Sequence, residues 1–139
     1  MSSFHLTAAA LERMIAHCRN DFPNEACGLL AGPAGGGADE AVGMRNTLAS
    51  PTAFELDPKE QLAVQRRLRA SGKGALAIYH SHVASAAYPS PRDIHRATAI
   101  QDFFDGHYLL VTLQRMEQPG VRAFKIRDGQ VTEVPWEAA

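Results

Sequence analysis

Residues 74–93 read GALAIYHSHVASAAYPSPRD, which places an apolar run, two histidines, a short loop and a helix start in immediate succession. The run from residue 74 up to the first histidine, His80, is almost wholly apolar, which predicts a central strand buried on both faces. Ser90 is followed by Pro91 and, at the third helical position, by Asp93, which is the pattern of a capped helix start. We therefore expect a rigid strand to end close to the first turn of a helix.

The two histidines, His80 and His82, stand two positions apart on this strand, so both imidazoles leave the same face and can point at one ion. Neutral imidazole is a good zinc ligand, and Asp93 supplies a third, anionic oxygen. Three protein ligands leave zinc one open position, where the pKa of a bound water falls to about 7. The spacing thus predicts one catalytic zinc per chain.

Each half of this pattern also has a purely structural interpretation. A His-x-His pair in a strand is more often two ordinary histidines than a metal site. Ser90, Pro91 and Asp93 form a capping box with or without a metal nearby. The two interpretations of the helix start agree, because a cap would fix Asp93 in the first turn and aim it back toward the histidines.

The triplet at residues 80–82, a seven-residue gap and the Ser-x-x-Asp at residues 90–93 resemble the JAMM metal motif of the MPN (Mov34/PAD-1) metallopeptidases. This family also has an upstream glutamate, and Glu25, within residues 23–32, stands in the corresponding place. Val83 replaces a proline that family members often have, which concerns the loop rather than the ligands. Further positions that look like short bacterial members are Asn46 and residues 54–58, 87–90 and 121–134.

The resemblance implies the MPN/JAB fold, a single-domain α/β/α sandwich around a mixed, curved sheet that is similar to cytidine deaminases. With His80, His82 and Asp93 on zinc, the economical chemistry is hydrolysis of an amide by a metal-activated water. Glu25 then takes the proton of this water and hands it to the leaving amine. Ser90 is a candidate donor to the oxyanion, a role that the resemblance also suggests, and its alternative role is the helix cap alone.

Substrate identity is given only by the resemblance. The family cuts isopeptide or peptide bonds next to the C-terminal tail of ubiquitin-like proteins, and the short bacterial type resembles CysO-cysteine peptidases, which act on sulfur carriers. One alternative is a catalytically silent MPN scaffold, although such members usually lose ligands that this chain keeps. Another is a metal-dependent hydrolase of a non-amide substrate, against which the lack of a phosphate loop and of a basic cleft pattern argues.

Length and charge limit the number of domains and the kinds of partner that we expect. The chain has 139 residues, which predicts one domain over residues 1–139. With 14 basic and 15 acidic residues the net charge is -1, so we expect no nucleic-acid partner. No run of 18 apolar residues and no leader pattern is visible, which predicts no membrane partner and a cytoplasmic protein. Homodimer formation is left open.

Periodicity and turn residues place the other elements. Glu25 stands at the start of the strand predicted at residues 26–31. A buried carboxylate there would be costly unless it served chemistry. Cys18 and Cys27 are expected to be buried free thiols, with a redox role as the minor alternative. The predicted elements are a helix at 8–19, strands at 26–31 and 40–46, a helix from Pro58 toward Gly72, a helix from Pro91 to about Asp102, a strand at 107–113 and a hairpin of 121–127 with 130–134.

Overall fold

The structure is a computed structural model that describes residues 3–139, so the first two residues of the predicted domain lie outside it. The helices are Ala8–Asp21 (α1), Pro58–Ala70 (α2) and Pro91–Ala99 (α3). The strands are Phe4–Leu6 (β1), Cys27–Pro33 (β2), Glu40–Met44 (β3), Lys73–His82 (β4), His107–Thr112 (β5), Gly120–Arg127 (β6), Gln130–Val134 (β7) and Trp136–Ala138 (β8). Across residues 3–139 no helix is long and apolar enough to cross a bilayer.

The main sheet has six strands in the order β3-β2-β4-β5-β6-β7. Its only parallel pair is β4 with β5, joined by the crossover through α3, and the other neighbours are antiparallel within the described chain. The strand that carries the two histidines is therefore an inner strand, flanked by β2 and β5. Because both of its edges are paired, its end is a rigid place for a site.

Alternate residues of β4 contribute to two apolar cores, one on each face of the sheet. Tyr79 packs with Met14 and Cys18 of α1 on one face. Ile78 packs with Leu110 on the other face, in the core that α2 and α3 cover. The expected α/β/α sandwich around a mixed sheet is therefore confirmed.

The predicted helices form, and side-chain caps start the first two. Thr7 Oγ1 accepts from the N–H of Ala10 at 3.1 Å, and Asp57 Oδ1 accepts from the N–H of Lys59 at 3.0 Å. After α2 the chain turns through Gly72, whose φ of +74° favours glycine.

Two predictions of element bounds need correction. The third helix ends at Ala99, three residues before the predicted Asp102, because Gln101 turns to the hairpin and its amide nitrogen donates to Asp128 Oδ1 at 2.7 Å. Strands β1 and β8, which pair in parallel as a separate two-stranded sheet, were not predicted. Each has three residues, too few to show an alternating pattern.

The two cysteines are free and fully buried, as expected. Burial raises the pKa of both the Cys18 and the Cys27 thiol to about 12. The thiolate is the reactive form, so these side chains act as small apolar groups in the core.

Candidate metal centre and active site

Three side chains converge at the end of β4. His80 Nε2 and His82 Nε2 lie 3.2 Å apart, and Asp93 Oδ2 lies 3.1 and 3.0 Å from them. Donors that hold zinc tetrahedrally at 2.0–2.1 Å are separated by about 3.3 Å. The triangle therefore has the size and the donor types of a zinc site with one open position, and it forms a group that could hold a metal ion.

The contacts of the two histidines orient their rings toward Asp93. Both are buried at the end of a paired strand. His82 Nδ1 donates its hydrogen to the carbonyl of Ala86 at 2.8 Å, so in the neutral, ligating form of His82 the lone pair is on Nε2. The His80 ring stacks on Phe54 with centroids 4.4 Å apart, and its buried Nδ1 has no hydrogen-bond partner.

Asp93 is fixed by the helix start, as the sequence predicts. Its N–H donates to Ser90 Oγ at 3.1 Å, and its Oδ2 accepts from the Ser90 N–H at 2.9 Å. Burial alone would raise the pKa of Asp93, but the hydrogen bonds from His80 and His82 outweigh it and hold that pKa well below its usual range. The carboxylate is therefore ionised, which is the form that binds a divalent cation.

Burial lowers the pKa of His80, so this imidazole is neutral. The pKa of His82 is also opposed by burial, but the hydrogen bonds to the carboxylate of Asp93 and to the carbonyl of Ala86 raise it. Because a ligating imidazole must be neutral, metal binding at this cluster has to displace protons.

Glu25 stands just before β2 and is 5% exposed. Its Oε1 is buried without a hydrogen-bond partner. Burial raises the pKa of this carboxyl to about 7, with His82 opposing the shift and Asp93 adding to it. A carboxyl with a pKa near neutrality is suited to proton transfer in both directions.

Ser90 is half-buried beside Asp93 and caps α3. The cap uses the hydroxyl as an acceptor, so its hydrogen is free to point elsewhere. The cap and the proposed oxyanion role therefore use different parts of the hydroxyl.

Three further polar residues organise the site, and the sequence did not assign them a role. Ser81, which points away from the cluster, accepts from the N–H of Ala26 at 2.8 Å. Arg96 donates to the carbonyl of Phe54 and lies 3.0 Å from Glu55. Asn46 is buried two residues after β3 and donates to the carbonyl of Glu25 at 3.0 Å. Its likeness to the short bacterial members was the available signal in the sequence.

Two other side chains of the helix start and the loop before it do not join the three converging donors. His95 is exposed on α3. Tyr88 is 48% exposed and packs edge-on against Phe124, under the guanidinium of Arg122. Neither side chain is among the groups that could hold the metal.

Two clefts reach this region. An apolar cleft of about 400 Å³ runs between α2 and α3, with Phe54, Ile78 and Tyr108 in its walls and His80 and Asp93 at its border. The hydroxyl of Tyr108 is buried there without a partner. A larger polar cleft of about 700 Å³ lies against α1 and touches Glu25 and Asn46 but none of the three converging donors.

Comparison with known proteins agrees with this geometry. A family profile for prokaryotic homologues of the JAB domain matches residues 7–127. The chain is 42% identical over 131 residues to the CysO-cysteine peptidase of Mycobacterium tuberculosis, which covers 94% of this chain and 87% of the relative. It is 36% identical over 121 residues to a probable TtuB-protein conjugate cleaving protease of Thermus thermophilus, covering 86% of this chain and 74% of the relative. A solution structure of a Desulfitobacterium hafniense protein superposes with a TM-score of 0.83 and 34% identity, covering 98% of this chain and 92% of that chain.

Proposed function

The chain belongs to the family of prokaryotic JAB-domain homologues, and we propose that it is a zinc-dependent peptidase that cleaves an amide bond at the C-terminal tail of a sulfur-carrier or ubiquitin-like protein. The observation that carries this proposal is the convergence of His80 Nε2, His82 Nε2 and Asp93 Oδ2 within 3.2 Å, with the protonatable Glu25 in electrostatic contact with them. A CysO-cysteine peptidase and a protease for TtuB conjugates are among the relatives.

The donor set favours zinc among the divalent metals. Two imidazole nitrogens and one carboxylate oxygen suit zinc, whereas magnesium and calcium prefer oxygen ligands alone. When bound, zinc supplies the Lewis acidity that activates a water and polarises the scissile carbonyl.

Glu25 moves the proton in this proposal. Burial raises the pKa of its carboxyl to about 7 in the metal-free protein, and in the proposed reaction this carboxyl accepts a proton from the attacking water and delivers it to the leaving amine. Oε1 has no hydrogen-bond partner in the protein, so this oxygen is free for the transfer. A positioned general acid-base contributes about 10²- to 10⁴-fold in rate.

Ser90 stabilises the negative charge that develops on the carbonyl oxygen. Its oxygen already accepts from the N–H of Asp93, which fixes the hydroxyl next to the proposed metal ligand. The hydroxyl hydrogen then serves as the donor.

The substrate tail enters through the apolar cleft. This cleft borders His80 and Asp93, whereas the larger polar cleft touches the site only through Glu25. The walls of the apolar cleft, which include Phe54, Ile78 and Tyr108, match apolar side chains of an extended tail.

All three donors, His80, His82 and Asp93, are present and converge, which favours a peptidase over a metal-free scaffold. The cytoplasmic location stays a prediction from the sequence.

The test uses two substrates with the same carrier tail. In one substrate a ubiquitin-like carrier ends in a single added cysteine, and in the other its terminal glycine is joined to a lysine side chain. Intact-mass spectrometry follows cleavage by the zinc-loaded protein, by the protein with chelator, and by Glu25→Gln. We expect chelator-sensitive cleavage of at least one substrate. Intact substrates after incubation with zinc-loaded wild type would overturn the proposal.

A further inference from the structure

We propose that Asn46 is a positioning residue for Glu25. It fixes the Glu25 main chain to the segment that packs on His80, one of the three proposed metal ligands. This segment, residues 47–56, connects β3 to α2 and is called the strap below. The catalytic part of the proposal rests on the proposed function, whereas its structural part does not.

The side chain of Asn46 makes four hydrogen bonds to main-chain groups. Nδ2 donates to the carbonyl of Glu25 and to the carbonyl of Ala53, both at 3.0 Å. Oδ1 accepts from the N–H groups of Leu48 and Glu55, both at 3.1 Å. A side-chain amide has two donor hydrogens and two acceptor lone pairs, so all of its capacity is used. An aspartate would lack the donors.

The direction of the Glu25 side chain depends on hydrogen bonds to its main chain. Within residues 3–139 no hydrogen bond to the protein holds the Glu25 carboxyl, and its Oε1 is buried without a partner. Its direction must therefore come from the main chain. The Glu25 N–H donates to the carbonyl of Ser50 in the strap at 2.9 Å, and the Glu25 carbonyl accepts from Asn46. Both polar groups of the Glu25 backbone thus lead to Asn46 or to the strap.

The strap also contacts one of the proposed metal ligands. Phe54 stacks on the ring of His80 with centroids 4.4 Å apart. Its neighbours Ala53 and Glu55 are both bonded to the Asn46 side chain. Asn46 therefore sets the position of Glu25 relative to the ring that packs on a proposed metal ligand. A displacement of about 1 Å between such groups costs on the order of 10²-fold in rate.

A matched control is available in the next residue. Thr47 Oγ1 donates to the carbonyl of Glu55 at 3.2 Å, so Thr47→Val removes a hydrogen bond within the strap without touching Glu25. Asn46→Asp is the more selective test variant, because a carboxylate can still accept from Leu48 and Glu55 but cannot donate to Glu25 and Ala53. Asn46→Ala removes all four bonds.

The first measurement needs no substrate. Amide hydrogen exchange is followed at Glu25, with Leu109 and Leu110 of β5 as internal references for global stability. We expect protection of the Glu25 amide to fall by about tenfold or more in Asn46→Asp and Asn46→Ala, and to stay unchanged in Thr47→Val. Unchanged protection of the Glu25 amide in a folded Asn46 variant would overturn the proposal.

The second measurement asks whether Asn46 acts through Glu25. In the zinc-loaded enzyme, Asn46→Asp should lower kcat by about 10²-fold with zinc content and KM unchanged. In the Glu25→Gln background the same substitution should cost no further rate, since the group it positions is already lost. Equal losses in both backgrounds would contradict positioning. Loss of Glu25 protection in a protein whose wild type cleaves neither substrate would refute the proposed function and leave the structural part standing.

Discussion

The two faces of β4 differ in how completely the fold satisfies their polar groups. Tyr79 and Ser81 point toward α1, where Tyr79 Oη lies 2.6 Å from His17 Nδ1 and Ser81 Oγ accepts from the N–H of Ala26. His80 and His82 point toward α2 and α3. The buried side-chain atoms without a hydrogen-bond partner between residues 3 and 139 are His80 Nδ1, Glu25 Oε1 and Tyr108 Oη, all bordering the two clefts on which the site opens.

This difference separates stability from function along a single strand. A buried polar atom without a partner costs about 1–3 kcal/mol, so the β4 face toward α2 and α3, where His80 Nδ1 and Tyr108 Oη lack partners, carries a penalty that the α1 face does not. That penalty is expected where a metal, a water or a substrate completes the hydrogen bonding. Substitutions on the α1 face of β4 should therefore change stability. Substitutions on the face toward α2 and α3 should change metal binding or rate.

The largest effect is expected from His82→Ala. Losing one of three protein ligands should reduce the zinc content of the purified protein to background, because the remaining two donors no longer enclose the ion. Elemental analysis of wild type and variant measures this directly. Equal occupancy in the two proteins would remove His82 from the ligand set.

Glu25→Gln should keep the metal and lose about 10²- to 10⁴-fold in rate, because the amide has nearly the same shape but cannot accept the proton. The measurement is kcat of the zinc-loaded variant. Retained turnover would remove Glu25 from the mechanism.

Ser90→Ala should separate the two roles of this residue. Loss of the cap should cost about 1 kcal/mol of stability, and loss of an oxyanion donor should lower kcat by about 10²- to 10³-fold. A melting curve and kcat of the zinc-loaded variant report the two independently. If only the melting temperature changes, Ser90 is a cap and nothing more.

Metal-free protein should show the cost of burying Glu25 as a pH dependence. Its pKa in the folded chain, about 7, lies above the ordinary value of 4.5, so the folded state binds this proton more tightly than the unfolded state. Stability should therefore fall as pH rises from 4.5 to 7, by about 2–3 kcal/mol. Urea unfolding with chelator should show this trend in wild type and less of it in Glu25→Gln. Parallel curves would contradict the assignment.

Tyr79→Phe should have the smallest effect and serves as the control on the other face. It removes one hydrogen bond to His17, for an expected loss of about 1 kcal/mol. Zinc content and kcat should match wild type, which the same two assays test. A loss of metal would show that the two faces are not independent.

The cluster was more predictable than its supports for a physical reason. His80, His82 and Asp93 lie within 14 residues, and strand alternation and a helix cap are local rules that convert this spacing into geometry. Asn46, by contrast, acts on Glu25 across 21 positions, which no local pattern encodes. The fold class followed from the element order and from the resemblance.

The short pairing of β1 with β8 escaped prediction because it is decided by tertiary contact. Phe4 donates its N–H to the carbonyl of Pro135 and pairs with Trp136 across almost the whole chain. The end of α3 shifted for a similar reason, since Gln101 is held by Asp128 of the hairpin. Both cases depend on residues more than 25 positions apart.

One oxygen atom limits how this centre could be redesigned. Asp93 Oδ2 accepts the N–H of Ser90 at the start of α3 and is also the atom that faces both histidines. Replacing Asp93 by histidine or cysteine, in order to recruit a softer metal, would remove the carboxylate from the capping box and loosen the helix that delivers the new ligand. A glutamate would carry the charge but would reach too far for the same triangle. Exchange of the metal is therefore more accessible through His80 and His82, whose side chains have no part in starting a helix.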